Sequence, residues 1–133
     1  MKKVTELKTF EQACKELGLD PKKVIPDFSA YPERDREAMT AHAKLIIIVR
    51  AANKIDNSGK EWAPDWKNSD EWKYEPWFHM NDSSSASGFS SHAYDYWYTL
   101  SIVGSRLCFL SRETAKYIVN QFIDLYEAYF VIK

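Results

Sequence analysis

Apolar residues at Phe10, Ala13, Cys14 and Leu17 fall at helical spacing. Thr9 suits the N-cap of that segment and Gly18 its C-terminal stop, so the pattern predicts a short first helix. Pro21, Pro26 and Pro32 then punctuate a connector in which regular structure is not expected. Pro32 fits the first turn of a second, longer helix over about 33–53, where Met39, Ala43, Ile46, Ile47, Arg50 and Ala51 follow three- and four-residue steps. The run Leu45, Ile46, Ile47, Ile48, Val49 also suits a strand, because branched side chains favour strands. Alanines on both sides and the lack of turn residues favour the helix.

The pattern changes after residue 54. Residues 54–60 read as a polar loop, 62–78 as a tryptophan-rich stretch, and 82–88 as a serine-rich, low-complexity turn. Tyr94, Tyr96 and Tyr98 share one parity and Asp95 and Trp97 the other, which is strand alternation. Val103, Gly104 and Ser105 read as a turn, and 106–110 as a buried strand. With the region of Trp77 and Phe78 this predicts a three-stranded antiparallel meander. Ser111 is a preferred N-cap and Glu113 suits a first helical turn. Ala115, Ile118, Val119, Phe122, Ile123, Leu125, Tyr126, Tyr129 and Phe130 then cover more than one helical face. A stripe that wide predicts a long C-terminal helix packed on the sheet and on a second surface, either the 33–53 helix or a partner subunit. The expected fold is a single α+β domain over 1–133: N-terminal helices, a small β-meander with a Trp-rich loop, and the C-terminal helix on the sheet.

Composition narrows the function classes. Eighteen Lys and Arg against nineteen Asp and Glu give a net charge of -1, which argues against a protein held mainly by phosphates. Between residues 56 and 82 seven acids face three lysines, so nucleic-acid binding is disfavoured even where stacking aromatics concentrate. The chain opens on charged residues, and its most apolar run, 45–49, is far short of the ~20 residues a membrane span needs. A cytoplasmic protein is expected. Aromatic residues make up 15% of the chain, and all five tryptophans lie between 62 and 97. Rings in such a loop can complete a small core, because each buries a large area. Tryptophan and tyrosine also dominate protein interfaces.

Specific chemistry is sparse. No HxxxH, HExxH or CxxC spacing points to a metal, and Cys14 and Cys108 cannot build a disulfide framework. Cys108 sits in an apolar run, where a buried thiol is poorly reactive. No GxSxG elbow, P-loop or GxGxxG is present. No catalytic residue, cofactor or metal ligand is therefore assigned. The strongest fragment is Gly104, Ser105, Arg106, followed by Ser111 and Arg112 at a helix start. Converging on Tyr96 and Trp97, the residues Ser105, Arg106 and Arg112 would make a pocket for an anionic, nucleotide-like ligand. The simpler expectation is that Arg106 bridges a strand carboxylate such as Asp95 and that Arg112 is solvated.

Several fragments together carry a resemblance. They are Leu45, Ile46, Ile47, Ile48, Val49 leading to Trp62, Ala63, Pro64, Asp65, Trp66; then Lys73, Tyr74, Glu75, Pro76, Trp77, Phe78; then 103–109 with Ser111, Ala115, Lys116 and Tyr117. The chain, from about Phe10 to Phe130, resembles small, functionally uncharacterised proteins of phages and prophages of gut Bacteroidetes bacteria. The 54–60 loop is longer than the family's usual helix-to-Trp connection. The resemblance implies a host-cytoplasmic assembly or accessory protein that works by occupying a surface, and it implies no catalytic residues. The leading expectation is a non-enzymatic protein that binds a protein partner or itself through Trp62, Trp66, Trp72, Trp77, Tyr126 and Tyr129. A small anionic ligand at Tyr96, Trp97, Ser105, Arg106 and Arg112 is the alternative, and a small hydrolase is disfavoured.

Overall fold

Thr9 holds an extended backbone (φ -135°) and its hydroxyl accepts the Gln12 N–H at 3.2 Å, while the Gln12 side chain accepts the Thr9 N–H at 3.2 Å. This reciprocal capping box starts helix α1, Phe10–Leu17, in the computed structural model of the chain. Gly18 ends it at φ 70°, a left-handed conformation that glycine adopts without a Cβ penalty. The described residues are 3–80, 89–97 and 99–133, with the side chains of 92–97 excepted. The expected serine-rich turn at 82–88, and Tyr98, lie outside them.

Helix α2 runs Glu33–Asp56 and opens on Pro32. The 45–49 run is helical, and the strand alternative does not hold. Leu45, Ile48 and Val49 are buried, with Ile46 and Ile47 half-buried. The reason is position: α2 packs against α1 and against both C-terminal helices, so apolar residues are wanted around most of its circumference.

Strand β1, Lys73–His79, pairs antiparallel with β2, Ser90–Trp97, in the register Tyr74 to Tyr96 and Glu75 to Asp95. The register shifts at Trp77/Phe78, where Trp77 faces Ala93 and Phe78 faces Ser91. The third strand of the expected meander is reduced to one bridge, Tyr74 with Phe109. Both hydrogen bonds of that bridge form, Tyr74 N–H to Phe109 O at 3.0 Å and Phe109 N–H to Tyr74 O at 2.9 Å. In an antiparallel ladder the next such pair would be residue 76 with residue 107. Residue 76 is proline and has no N–H to give. Leu107 N–H turns to Gly104 O instead, at 3.4 Å.

Asn53, buried on α2, occupies the other side of this segment. Its amide donates to Cys108 O at 2.9 Å and accepts the Leu110 N–H at 3.0 Å. A side chain thus satisfies the backbone that a neighbouring strand would otherwise pair.

The expected long C-terminal helix is two: α3, Arg112–Gln121, and α4, Ile123–Phe130. Ser111 caps α3, accepting the Thr114 N–H at 3.3 Å, and both its hydroxyl and that of Thr114 donate to Asp56 at 2.7 and 2.8 Å. The axis breaks at buried Phe122 (φ -116°, ψ 30°). The break lets the wide apolar stripe meet two surfaces: α3 lies against β1, β2 and α2, and α4 packs on α2, with Tyr126 and Phe130 also against Phe78 of β1. The second surface is therefore α2. Tyr126 is 1% exposed and stacks among Phe78 and Phe130 in the core, so it is not an accessible interaction residue.

One connected core cluster joins Leu7, α1, α2, Phe89, Leu107, Phe109 and the two C-terminal helices. Trp62, Trp66, Trp72 and Trp77 are neither in this cluster nor among the partly buried residues packed on it. For these four rings the core-completing explanation fails. Aliphatic side chains of α2 and the Phe and Tyr rings of β1, α3 and α4 fill the interior without them.

Candidate functional site

The two faces of β1 do different things. Tyr74 and Phe78 face the core, while Lys73 and Glu75, of the other parity, are both 0% exposed under the loops that cross that face. Burying two charges is costly unless each is satisfied. Lys73 donates to Asn68 O at 3.0 Å, lies 3.4 Å from the Glu71 carboxylate, and sits 5.3 Å from the Trp66 ring centroid. Glu75 accepts from the Ser101 hydroxyl and from the Ile102 N–H at 3.1 Å. Ser101 Oγ in turn accepts the N–H groups of Val103 at 3.2 Å and Gly104 at 2.6 Å. Trp66 Nε1–H donates to Ser105 Oγ at 2.6 Å. The buried charges of β1 thereby fix the turn at 101–105, whose Gly104 needs a positive φ of 77°.

That turn forms one wall of a cleft of about 640 Å³, which puts it in the size range of small-molecule sites. The opposite wall is α2, through His42, Ile46, Arg50 and Asn53, which fall one above another on a helix face. Trp62, Ala63 and Pro64 form the rim, and Val103, Gly104, Ser105, Arg106 and Leu107 complete it.

The charges in the cleft differ in their partners. Arg50 clamps Glu61 from two nitrogens, with Nε at 3.1 and 3.2 Å from the carboxylate oxygens and Nη2 at 2.8 Å. Hydrogen bonding to Arg50 holds the Glu61 carboxyl below its ordinary range. Arg106 is exposed and forms no ion pair or hydrogen bond with a described residue. The His42 ring stacks on Tyr129 at 4.3 Å between centroids, and its buried Nδ1 has no hydrogen-bond partner among the described residues. Burial lowers its pKa from 6.5, so the imidazole is neutral at pH 7.

Of the ligand residues expected from sequence, Ser105 and Arg106 reach the cleft and Arg112 does not line it. Arg112 begins α3. Tyr96 and Trp97 pair through their backbones with Tyr74 and Lys73, and their side chains lie outside the described set. His42, Arg50 and Glu61 were missed. The signal for the first two was their four-residue spacing through Ile46; Glu61 has none, because a loop brings it back to α2.

Among the described residues, no three His, Cys, Asp or Glu side chains gather as a metal site requires. Cys108 is buried, and burial together with the Glu75 charge pushes its thiol up to about 12. A protonated thiol is not a nucleophile at neutral pH. No helix among the described residues is long and apolar enough to cross a membrane.

Of the interaction residues expected from sequence, Trp72 and Trp77 are each 42% exposed and Trp62, Trp66 and Tyr129 are half-buried. Met80, Leu100 and Ile102 are more exposed still. Compared with protein-family models, with curated proteins and with solved structures, the chain gives no match.

Proposed function

We propose that the chain is a non-enzymatic interaction protein that binds another protein, a second copy of itself included, through the outer surface carrying Trp72, Trp77, Met80, Leu100 and Ile102. The observation that carries this reading is the position of the tryptophans. Four of them stand outside the core cluster, and two keep 42% of their surface in water. Exposing that much indole is unfavourable in a free monomer, and burying it against a partner recovers the cost. Strand β2 adds a second support, since among the described residues its only strand neighbour is β1. An edge strand offers backbone donors and acceptors to an incoming chain. An assembly or accessory role in a phage or prophage is the setting that the resemblance implies.

The test is native mass spectrometry of the protein expressed in its own host or a close relative, alongside Trp77→Ser. The expected result is an oligomer or a protein complex that the substitution weakens, by about 2 kcal/mol for an interface hot spot, with the fold unchanged by circular dichroism. A strictly monomeric protein that captures no partner would end the reading.

A second reading is small-ligand binding, supported by the cleft and by Arg106 standing in it without a partner among the described residues. A reproducible extra mass on the native protein would favour it.

A further inference from the structure

The cleft's charges and walls restrict what it can hold, given the small-ligand reading on which this step rests. Arg50 already has its carboxylate, and the His42 ring is uncharged at neutral pH. Arg106 therefore supplies the one net positive charge of the lining. A single guanidinium matches a single carboxylate, bound through two parallel hydrogen bonds. A nucleoside diphosphate or triphosphate would bring several charges to a site with one counter-charge and no glycine-rich phosphate cradle.

The remaining walls are apolar. Ile46, Trp62, Pro64, Val103 and Leu107 surround the polar centre, so the body of the ligand should be apolar or aromatic. Trp62, half-buried at the rim, offers a ring face for stacking. Ser105 Oγ is already engaged by the Trp66 indole, which lends the turn its rigidity but leaves the hydroxyl proton free to donate.

From these features we infer that the cleft between α2 and the 101–107 turn binds a small amphiphilic monocarboxylate, its carboxylate on Arg106 and Ser105 and its apolar or aromatic body against Trp62, Ile46 and Leu107. This replaces the nucleotide-like ligand that the sequence pattern suggested. The size of the cleft admits a bicyclic ring with a short acidic arm and leaves room for water.

The experiment is isothermal titration at pH 7 with three probes: 1-naphthylacetate, its neutral amide 1-naphthylacetamide, and AMP. The expected result is saturable binding of 1-naphthylacetate, with quenching of tryptophan fluorescence. The amide should bind at least about tenfold more weakly, and Arg106→Gln should weaken the acid by a similar factor, as loss of a charged hydrogen bond does. Arg106 is exposed, so its substitution leaves the fold intact. Arg112→Gln, outside the cleft, should change nothing.

Binding of AMP in preference to the acid, still lost in Arg106→Gln, would overturn the monocarboxylate and leave the small-ligand reading standing. Equal binding of acid and amide, or an unaffected Arg106→Gln, would overturn the role of Arg106. Failure of every probe to bind up to millimolar concentration would overturn the inference. In that case an extra mass on the native protein decides whether the cleft holds a ligand at all.

Discussion

His42 shows how much one residue depends on its surroundings. On sequence it is a lone histidine in a helix; in the structure it stacks on Tyr129 with a buried Nδ1 and a lowered pKa. The unfolded chain binds a proton at that imidazole near pH 6.5 while the folded chain resists it. The unfolded state therefore holds more protons between the two pKa values, and stability falls as pH drops below about 6.5. Urea unfolding at pH 7.5 and pH 5.5 should show that decline, and His42→Phe, which keeps a ring on Tyr129, should reduce it. An equal decline in the variant would place the proton uptake elsewhere. Cys108 gives a second residue-scale prediction. With its thiol pushed up to about 12 and the side chain inaccessible, iodoacetamide at pH 7.5 should alkylate it only at the rate of unfolding. Rapid labelling of the native protein would contradict the burial.

Between elements, the decisive contact is Asn53. It joins α2 to 108–110 through one donor and one acceptor, on the side of the segment that faces away from β1, where a further strand would otherwise pair. Asn53→Ala leaves Cys108 O and Leu110 N–H without those partners and should cost about 2–3 kcal/mol, read as a lower urea midpoint with an unchanged slope. Asn53→Asp should recover little, because a carboxylate accepts from Leu110 but cannot donate to Cys108 O. A loss below about 0.5 kcal/mol in the alanine variant would mean that the segment is held by the Phe109 bridge and its packing. The same element scale explains the split C-terminal helix. Its apolar positions exceed one face, and two axes meeting at Phe122 let them cover both the sheet and α2.

On the scale of the molecule, an aliphatic and Phe/Tyr core leaves Trp62, Trp66, Trp72 and Trp77 outside it, two of them exposed at the surface. If copies associate through that surface, binding stabilises the folded state by mass action. The thermal midpoint should then rise with protein concentration across the micromolar range, and Trp77→Ser should remove the rise. A midpoint independent of concentration would argue for a partner other than the chain itself. The cleft lies on the α2 side of the turn, while Glu75 and Ser101 hold the turn from β1. A ligand on Arg106 would therefore sit on the segment that also displays Ile102, and the two surfaces share one support.

What the chain determined locally is visible where neighbours in sequence are neighbours in space. Thr9 with Gln12, Gly18, Pro32 and Ser111 set helix ends through contacts three or four residues apart, and each boundary was legible. The apolar spacing over about 33–53 identified a helix despite its branched residues, and the helix runs on to Asp56. Arg106 and Ser105 stood out because arginine beside a glycine turn carries its own chemistry. What depended on the tertiary structure involves partners far apart in sequence: Pro76 ending the ladder to Leu107, Asn53 replacing a strand, Trp66 reaching Ser105, and Glu61 claiming Arg50. Periodicity reports which face of an element is apolar, but not which element covers it. That choice follows from packing the whole chain at once, and it left Trp62, Trp66, Trp72 and Trp77 outside the core and the Arg106 guanidinium exposed at the cleft.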